Sequence, residues 1–331
     1  MIPNSLLLLS LVSCGSREVL PMAACPEVAD QDFHCEVPGY TDRGYDVVLP
    51  DGYAAGSPVP VVLALHGGGG NRLSMSRISC DDGTLASKTC LHDLGRTEGF
   101  AVVYMDGVSP GGVKKNLRAW TAGGGTDNWR CTGDPTCGMD TDDVAYFRAL
   151  LDDLESRMSV DTQRVYSTGI SNGGAMSHVL ACELSDRIAA VAPIGGAMQW
   201  TTSRTCTAAN PVAVMHVHGT ADPCWVYEGG PSECPVGQPG KEHVSVERTM
   251  REWAVLLGCT GEAVSEPVEG TTTTRWTWPG CSEDLVLLRV EGGGHVWPDG
   301  HQYFKEETVG PVWRDWDDAL LWEFLSAHTL D

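Results

Sequence analysis

Short, continuous apolar runs recur along the chain and predict buried strands. Runs of this kind, bounded by Gly, Pro and Asp, are typical of parallel strands that are covered on both faces. The predicted strands are residues 45–49, 59–65, 100–105, 164–168, 188–192, 211–218 and 285–290.

Segments with helical spacing of apolar residues separate these strands. In residues 142–158, Val144, Phe147, Leu151 and Leu154 share one face, and the first turn is acidic, as the helix dipole favours. The alternation predicts an α/β fold, a mostly parallel sheet with helices on both faces. The other predicted helices are 84–95, 172–184, 244–257 and 316–328, and residues 107–139 form a long, Gly-rich loop.

The charge balance narrows the classes of partner. The 331 residues contain 44 Asp and Glu but only 22 Lys and Arg, a formal charge of −22. Such a surface has few counter-charges for phosphate, which argues against nucleic-acid and anionic-membrane binding. The 42% of hydrophobic residues is enough for a sizeable core. We expect a single catalytic domain over residues 41–331, preceded by a tether and N-terminal segment over residues 14–40.

The N-terminus has the pattern of a secretory signal. The short apolar run 6–12 is followed by Ser13, Cys14 and Gly15. Residues 11–14 resemble the bacterial lipobox, so we expect a signal peptide over residues 1–13 and a lipidated Cys14 as the first mature residue. Residues 1–5 carry no Lys or Arg, and an ordinary cleaved signal that discards Cys14 is the alternative. Either reading predicts a protein that is secreted or lipid-anchored at the bacterial cell envelope, with membrane contact only through that anchor.

The thirteen cysteines indicate an oxidising compartment. Setting Cys14 aside leaves twelve, an even number that allows six disulfides, although sequence alone leaves their connectivity open. A zinc site is the alternative reading of these cysteines, but the sequence contains no paired C-x2-C units of the kind that hold structural zinc. Cys182 and Cys206 are left over and could pair with each other, whereas the other ten are close neighbours in sequence: Cys25 and Cys35, Cys80 and Cys90, Cys131 and Cys137, Cys224 and Cys234, and Cys259 and Cys281.

A G-x-S-x-G motif at residues 169–173 lies between a predicted strand and a predicted helix. In this context the serine sits on a sharp turn, where glycines avoid clashes, and the helix amides face developing negative charge. Ser171 is therefore the candidate nucleophile. The alternative is that Ser171 only caps the helix.

An acid and a histidine follow later strands. Asp222 comes after the predicted strand 211–218, and His295 after 285–290. The order Ser, acid, His is that of the α/β-hydrolase triad, which hydrolyses esters through an acyl-enzyme. The alternatives are that Asp222 is only a turn residue with Asp142 or Asp143 as the acid, and that His301 replaces His295.

The segment His66-Gly67-Gly68-Gly69-Gly70 follows a predicted strand and matches an oxyanion-hole loop. The predicted donors are the backbone N–H groups of Gly68, with Gly67 as the alternative, and of Asn172. His66 is expected to shape this loop and is grouped with Trp297 as a candidate substrate-binding residue.

Two patterns could suggest metal ions. His216 and His218 share one strand face, but a buried or supporting role is expected for them. The acidic segment 134–143 lacks the EF-hand spacing of Gly and Glu. We therefore predict no metal and no cofactor.

Four segments together resemble the secreted polyhydroxybutyrate depolymerase and feruloyl esterase family. They are Leu65-His66-Gly67-Gly68, Gly169-Ile170-Ser171-Asn172-Gly173-Gly174, His218-Gly219-Thr220-Ala221-Asp222-Pro223 and Gly293-Gly294-His295-Val296-Trp297-Pro298. Residues 142–144, 180–183 and 188–192 are similar to the same family. The resemblance implies a disulfide-stapled α/β-hydrolase fold and ester hydrolysis by the Ser171, Asp222 and His295 triad.

By the same resemblance, the substrates would be feruloyl-type or acetyl-type esters on plant polysaccharide, which we favour, or hydroxyalkanoate polyesters. A serine peptidase is a further alternative, because the same triad cleaves amides. A non-catalytic surface binding protein is the alternative from another class.

Overall fold

A ten-stranded sheet runs through the chain. This computed structural model describes residues 20–109, 116–122, 141–199, 206, 208–236, 240, 242–316 and 318–330. The signal segment, Cys14, Cys131, Cys137 and most of the loop 107–139 lie outside these ranges. The strands of the sheet are β1 (Phe33–Glu36), β2 (Gly44–Val48), β3 (Val59–Leu65), β4 (Ala101–Met105), β5 (Val160–Ile170), β6 (Ala190–Ile194), β7 (Ala213–Gly219), β10 (Val264–Pro267), β11 (Thr273–Thr277) and β12 (Leu285–Val290).

The strands lie in the order β1-β2-β4-β3-β5-β6-β7-β12-β11-β10. The six central strands from β4 to β12 are parallel. Two strands at each edge are antiparallel. The carboxyl ends of the parallel strands therefore meet at one edge of the sheet, where ligands bind in open α/β folds. A small separate hairpin pairs β8 (Gly230–Pro231) with β9 (Glu242–His243).

Helices cover both faces of the sheet. They are α1 (Arg72–Ile78), α2 (Leu91–Glu98), α3 (Asp143–Arg157), α4 (Asn172–Glu183), α5 (Val246–Leu256), α6 (Glu306–Val309) and α7 (Ala319–Ser326). Alternate residues of β3 divide between the two layers: Leu63 packs in the core with α3, α4 and α5, and Val62 packs with α1, α2 and α7. The expected α/β-hydrolase architecture is confirmed.

The sequence pattern missed some elements. The predicted bounds 84–95 were wrong for this helix. Helix α2 begins only at Leu91, after the disulfide-bonded Cys90, and its last residue is Glu98, which is followed by the C-cap Gly99 with φ 85°. Helix α1 has little apolar periodicity and begins instead with a capping box between Asn71 and Ser74. Strand β1 lies in the segment 14–40, yet it pairs with β2 as part of the sheet.

Disulfides staple the fold at five places among the described cysteines. They confirm four of the expected neighbouring pairs and the suggested pairing of Cys182 with Cys206, whereas the Cys131–Cys137 pair lies outside the described residues. The bonds join Cys25 to Cys35, Cys80 to Cys90, Cys182 to Cys206, Cys224 to Cys234, and Cys259 to Cys281.

No helix in the described ranges is both long and apolar enough to cross a membrane.

Candidate active site

Ser171 occupies the sharp turn between β5 and α4. Its backbone has φ 59° and ψ −122°, and its side chain makes no capping hydrogen bond to the helix. The neighbouring glycines make the turn possible: a Cβ on Gly169 would lie 2.7 Å from Leu65 Cβ, and one on Gly173 would lie 2.4 Å from the Leu65 carbonyl oxygen. The motif therefore holds a strained serine closely against the end of β3.

Asp222 and His295 are in direct contact at the ends of β7 and β12. The His295 Nδ1 lies 2.6 Å from Asp222 Oδ2. The other carboxylate oxygen, Oδ1, accepts hydrogen bonds from the backbone N–H groups of Cys224 at 2.8 Å and Trp225 at 2.7 Å. Asp222 and His295 are both buried. The loop after β7 thus fixes the carboxylate, and the carboxylate orients the imidazole.

The electrostatics of this pair favour an ionised Asp222. Burial would raise the pKa of Asp222, but the opposing charge of His295 and hydrogen bonds from His218 and His295 outweigh it. The pKa of Asp222 is consequently held well below its ordinary value.

Two glycines after β6 bring Ser171 next to this pair. A Cβ on Gly195 would lie 3.5 Å from both Asp222 Oδ2 and His295 Nδ1, and one on Gly196 would lie 1.9 Å from the Ser171 carbonyl oxygen. The Ser171 N–H also donates to the carbonyl oxygen of Ile194, the last residue of β6, at 2.9 Å. The Asp222–His295 pair and the Ser171 backbone therefore border two consecutive residues that follow β6.

The rival acids and histidine are engaged elsewhere. The Asp142 carboxylate caps α3 through the N–H of Ala145. Asp143 forms an ion pair with Arg43 at 2.7 Å. His301 lies against Gly83, beside the segment that follows α1. Within the described ranges, none of the three forms a hydrogen bond or ion pair with Ser171, Asp222 or His295.

The glycine loop after β3 borders the Ser171 turn. A Cβ on Gly67 would lie 3.3 Å from Ser171 Cβ, and one on Gly68 would lie 3.7 Å from Asn172 Cβ. Gly69 and Gly70 donate their N–H groups to backbone carbonyls, whereas the Gly68 N–H has no acceptor in the described part of the chain. Asn172 is the first residue of α4, so its N–H lacks an intrahelical acceptor. The two expected donors are therefore neighbours.

His66 is a buried brace of this loop. Its Nε2 accepts a hydrogen bond from the Gly107 N–H at 2.9 Å, so Nδ1 carries the proton and donates to the Gly67 carbonyl oxygen at 2.8 Å. Burial lowers the pKa of His66 to about 4, which keeps the ring neutral. Its side chain is fully buried, so it braces the loop instead of offering a surface to substrate.

Trp297 does not match the expected substrate wall. Its side chain is 0% exposed and packs in the core layer that contains α1, α2 and α7. A buried indole of this size contributes a large apolar area to the packing of that layer. The same core layer contains Trp313 and Trp316.

Trp120 and Tyr303 support the site but carried no signal in the sequence. Two hydrogen bonds join the Asn172 side chain to the Trp120 backbone. The Trp120 N–H donates to Asn172 Oδ1 at 2.7 Å, and Asn172 Nδ2 donates to the Trp120 carbonyl oxygen at 3.1 Å. The Trp120 indole N–H donates to the His66 carbonyl oxygen at 2.9 Å. The Tyr303 hydroxyl donates to the His295 carbonyl oxygen at 2.7 Å. Both residues fix the backbone of the site.

Groupings with the right atoms for a metal ion use cysteines that are already bonded. The two such groupings among the described residues are Cys90 with His92 and Asp93, and Asp222 with Cys224 and His295. Cys90 and Cys224 are in disulfides, so neither offers a thiolate. His216 and His218 hydrogen-bond to each other through Nε2 and Nδ1 at 3.0 Å.

Known proteins resemble this chain over most of its length. It is 29% identical over 257 residues to "Feruloyl esterase B" of Piromyces equi, covering 77% of this chain but only 42% of that protein's length. It is 30% identical over 274 residues to "Putative esterase NocK" of Nocardia uniformis subsp. tsuyamanensis, covering 78% of this chain and 72% of the other. The solved acetyl xylan esterase from Aspergillus awamori superposes with a TM-score of 0.53 at 16% identity, over 77% of this chain and 90% of that one, which shows the shared fold.

A family model matches most of the segment that carries the sheet and Ser171. The family is described as "Putative esterase", and the match spans residues 40–248. This range contains β2 to β7 and Asp222, while His295 lies beyond it. The chain therefore belongs to this esterase family.

Proposed function

We propose that this protein is a serine carboxylic-ester hydrolase that acts through an acyl-enzyme. Ser171 is the nucleophile, His295 the general base and acid, and Asp222 the residue that orients His295. The observation that carries the proposal is the Asp222–His295 contact of 2.6 Å beside a serine held at φ 59°. This is the geometry in which a weak hydroxyl nucleophile is activated by an adjacent base.

The hydrogen bonds define the proton path. Because His295 donates its Nδ1 proton to Asp222, the neutral ring has Nε2 unprotonated and able to take the Ser171 proton. The Ser171 Oγ then bonds to the ester carbonyl carbon, and the carbonyl oxygen becomes an oxyanion. The N–H groups of Gly68 and Asn172 stabilise that oxyanion, since neither spends its proton on a helix or loop carbonyl.

Collapse of this intermediate breaks the ester C–O bond. The leaving alcohol takes the proton from His295 and departs, which leaves an acyl group on Ser171. A water molecule attacks the acyl carbon while His295 accepts its proton. The second intermediate then releases the carboxylic acid and restores the Ser171 hydroxyl.

The names of the relatives support a substrate class for this proposal. The names "Feruloyl esterase B" and "Acetyl xylan esterase" both describe esterases with feruloyl or polysaccharide-linked substrates. We therefore assign feruloyl-type or acetyl-type esters on plant polysaccharide to this chain. The five disulfides fit a protein that works outside the reducing cytosol, where such polymers are found.

The test is ester turnover by the wild type and by S171A. The substrates are p-nitrophenyl acetate, p-nitrophenyl butyrate, methyl ferulate, acetylated xylan and a hydroxybutyrate polyester. Loss of the nucleophile should lower kcat on the order of 10⁶-fold. Wild-type release of ferulate or acetate that disappears in S171A supports the proposal, and equal activity of the two proteins contradicts it. Turnover of hydroxybutyrate polyester but not of the other esters would replace the substrate assignment while leaving the mechanism.

A matched histidine pair separates the proposed base from its rival. H295A removes the imidazole that contacts Asp222, whereas H301A removes one that lies against Gly83. We expect H295A to lose turnover and H301A to retain it. The reverse result would move the catalytic base to His301.

A further inference from the structure

Three buried histidines form a continuous hydrogen-bonded chain that leads to Asp222. The chain begins at His178 on α4 and continues through His216 and His218 on β7. The His178 Nε2 lies 3.2 Å from His216 Nδ1, and the His216 Nε2 lies 3.0 Å from His218 Nδ1. All three side chains are 0% exposed, and neighbouring rings stack with centroids 5.2 Å apart. The ester-hydrolysis mechanism above makes no use of this chain.

Trp253 gives the chain a single direction. Its indole N–H donates to His178 Nδ1 at 3.0 Å, and an indole nitrogen can only donate. The His178 proton must therefore lie on Nε2, from which it is donated to His216 Nδ1. The same reasoning assigns the Nε2–H tautomer to His216 and then to His218.

Burial keeps two of these rings, His178 and His216, neutral. Burial lowers the pKa of His178 to about 3. Burial likewise holds the pKa of His216 well below its ordinary value. A neutral imidazole has one donor and one acceptor, so every ring nitrogen in a one-way chain is satisfied. Aligned hydrogen bonds of this kind polarise one another in the same direction.

The chain ends on the groups that hold Asp222. The His218 Nε2–H donates to the Trp225 carbonyl oxygen at 2.7 Å, and the Trp225 N–H in turn donates to Asp222 Oδ1 at 2.7 Å. The same His218 Nε2 lies 3.4 Å from Asp222 Oδ2, the oxygen that contacts His295. His218 therefore fixes the Trp225 peptide and also directs a partial positive charge at the carboxylate.

We propose that Trp253, His178, His216 and His218 form a positioning relay that holds the Asp222 carboxylate in the orientation needed by His295. The relay moves no proton and touches no substrate. Its direction places a donor, never a lone pair, beside Asp222. This inference rests on the proposed serine hydrolase function and adds to it a set of residues that act through Asp222.

The main test breaks the relay at its centre. H216L removes both hydrogen bonds of the middle ring with little change in volume, and the matched control is H92L, at a buried histidine that bonds Tyr104 outside the site. A misplacement of catalytic groups by about 1 Å can lower the rate about 100-fold. We expect H216L to lower kcat by about 10-fold or more, with KM within about two-fold of the wild type, and H92L to retain the wild-type kcat.

A spectroscopic readout separates positioning from general damage. The Nδ1 proton of His295, shared with Asp222, should give a far-downfield proton resonance in NMR spectra. We expect this resonance to move or broaden in H216L and to stay in place in H92L. Nitrogen-15 spectra of histidine-labelled wild type should show three neutral rings that carry their proton on Nε2. A wild-type kcat and an unmoved resonance in folded H216L would overturn the relay.

A second variant covers the case in which H216L does not fold. W253F keeps an aromatic ring against His178 but removes the donor that sets the direction, and W322F is a control at a tryptophan that stacks on Phe100. We expect W253F, but not W322F, to lower kcat and shift the His295 resonance. Equal effects of the two variants would overturn the relay. Parallel assays of wild type and S171A show whether the proposed function itself holds, so the two ideas fail separately.

Discussion

The His295 Nδ1 lies 2.6 Å from Asp222 Oδ2, although 73 positions separate the two residues in the chain. The contact exists because β7 and β12 are parallel neighbours, so the loops that follow them leave the same edge of the sheet. In the proposed mechanism this contact fixes which nitrogen of His295 faces Ser171. D222N would keep the size of the side chain, but it would replace one carboxylate oxygen by an NH2 group and remove the negative charge.

D222N should therefore lower kcat on the order of 10⁴-fold, because the imidazole would lose the tautomer that accepts the Ser171 proton. The measurement is steady-state hydrolysis of p-nitrophenyl butyrate. D142N is the matched control: Asp142 caps α3, and because Asn caps a helix about as well as Asp, D142N should leave both stability and kcat close to the wild type. A large loss of kcat in D142N with none in D222N would make Asp142 the catalytic acid.

The strained backbone of Ser171 predicts a difference between two inactive variants. Glycine adopts a φ of 59° without strain, whereas alanine keeps the steric cost of a Cβ. The strain of about 1–3 kcal/mol is partly offset by the entropy that glycine adds to the unfolded chain. We expect S171G to be more stable than S171A by about 1 kcal/mol in urea unfolding. Equal or lower stability of S171G would show that the strain at this turn is no larger than the entropy that glycine adds to the unfolded chain.

The disulfide between Cys224 and Cys234 should affect both stability and activity. It closes a loop next to Asp222, whose Oδ1 accepts from the Cys224 N–H. Replacing both cysteines by serine should lower the free energy of unfolding by about 2–3 kcal/mol. It should also lower kcat about 10-fold, because the N–H groups that hold Asp222 lose their anchor.

The control for that variant is the Cys259–Cys281 disulfide, which closes the segment that contains the antiparallel edge strands β10 and β11. Replacing these two cysteines should lower stability by a similar amount while kcat stays at the wild-type value. Thermal unfolding and ester turnover, measured on the same samples, check both statements. Equal losses of kcat in the two double variants would contradict a specific link between the first disulfide and Asp222.

Buried histidines predict that stability falls as the solution becomes acidic. Burial lowers the pKa of His92 to about 4 in the folded protein, against 6.5 for an exposed ring. Between about pH 6.5 and about 4, the unfolded chain therefore binds a proton that the folded chain does not. Lowering the pH through this window destabilises the fold, with a limiting slope of about 1.4 kcal/mol per pH unit for each such histidine.

Urea unfolding of the wild type and H92Q at several pH values between about 7 and 4 measures this contribution. The glutamine cannot titrate, so H92Q should lose stability less steeply than the wild type in that window. The plots of stability against pH for the two proteins should become parallel as the pH approaches about 7. Parallel curves throughout the window would mean that His92 is not buried in a neutral form.

The sequence predicted the sheet best where its strands are buried. Strands β3 and β12 match the predicted boundaries because runs of six or seven residues that are almost entirely apolar have few other structures to adopt. Strand β10 is exposed along its whole length, so no apolar pattern marks it, and its place depends on pairing with β11. Local capping starts α1 at Asn71, which periodicity cannot detect.

The site residues with fixed spacing were also accessible from the sequence. Ser171, Asp222 and His295 each follow a predicted strand, and parallel strand ends meet at one edge. Trp297 was placed at the substrate because it is two residues from His295, but the chain turns its indole into the core. The hydrogen bonds between Asn172 and Trp120 join residues 52 positions apart in the chain, so no local sequence pattern predicts them.

The most direct test of the account traps the nucleophile. A p-nitrophenyl alkylphosphonate reacts with an activated serine by forming an Oγ–P bond and releasing one p-nitrophenolate, and the adduct is read by intact mass and peptide mapping. The account predicts one phosphonyl group per chain, located on Ser171, with matching loss of ester turnover and no adduct in S171A. Complete loss of turnover with the adduct on another residue, or full turnover without any adduct, would contradict the assignment of Ser171 as the nucleophile.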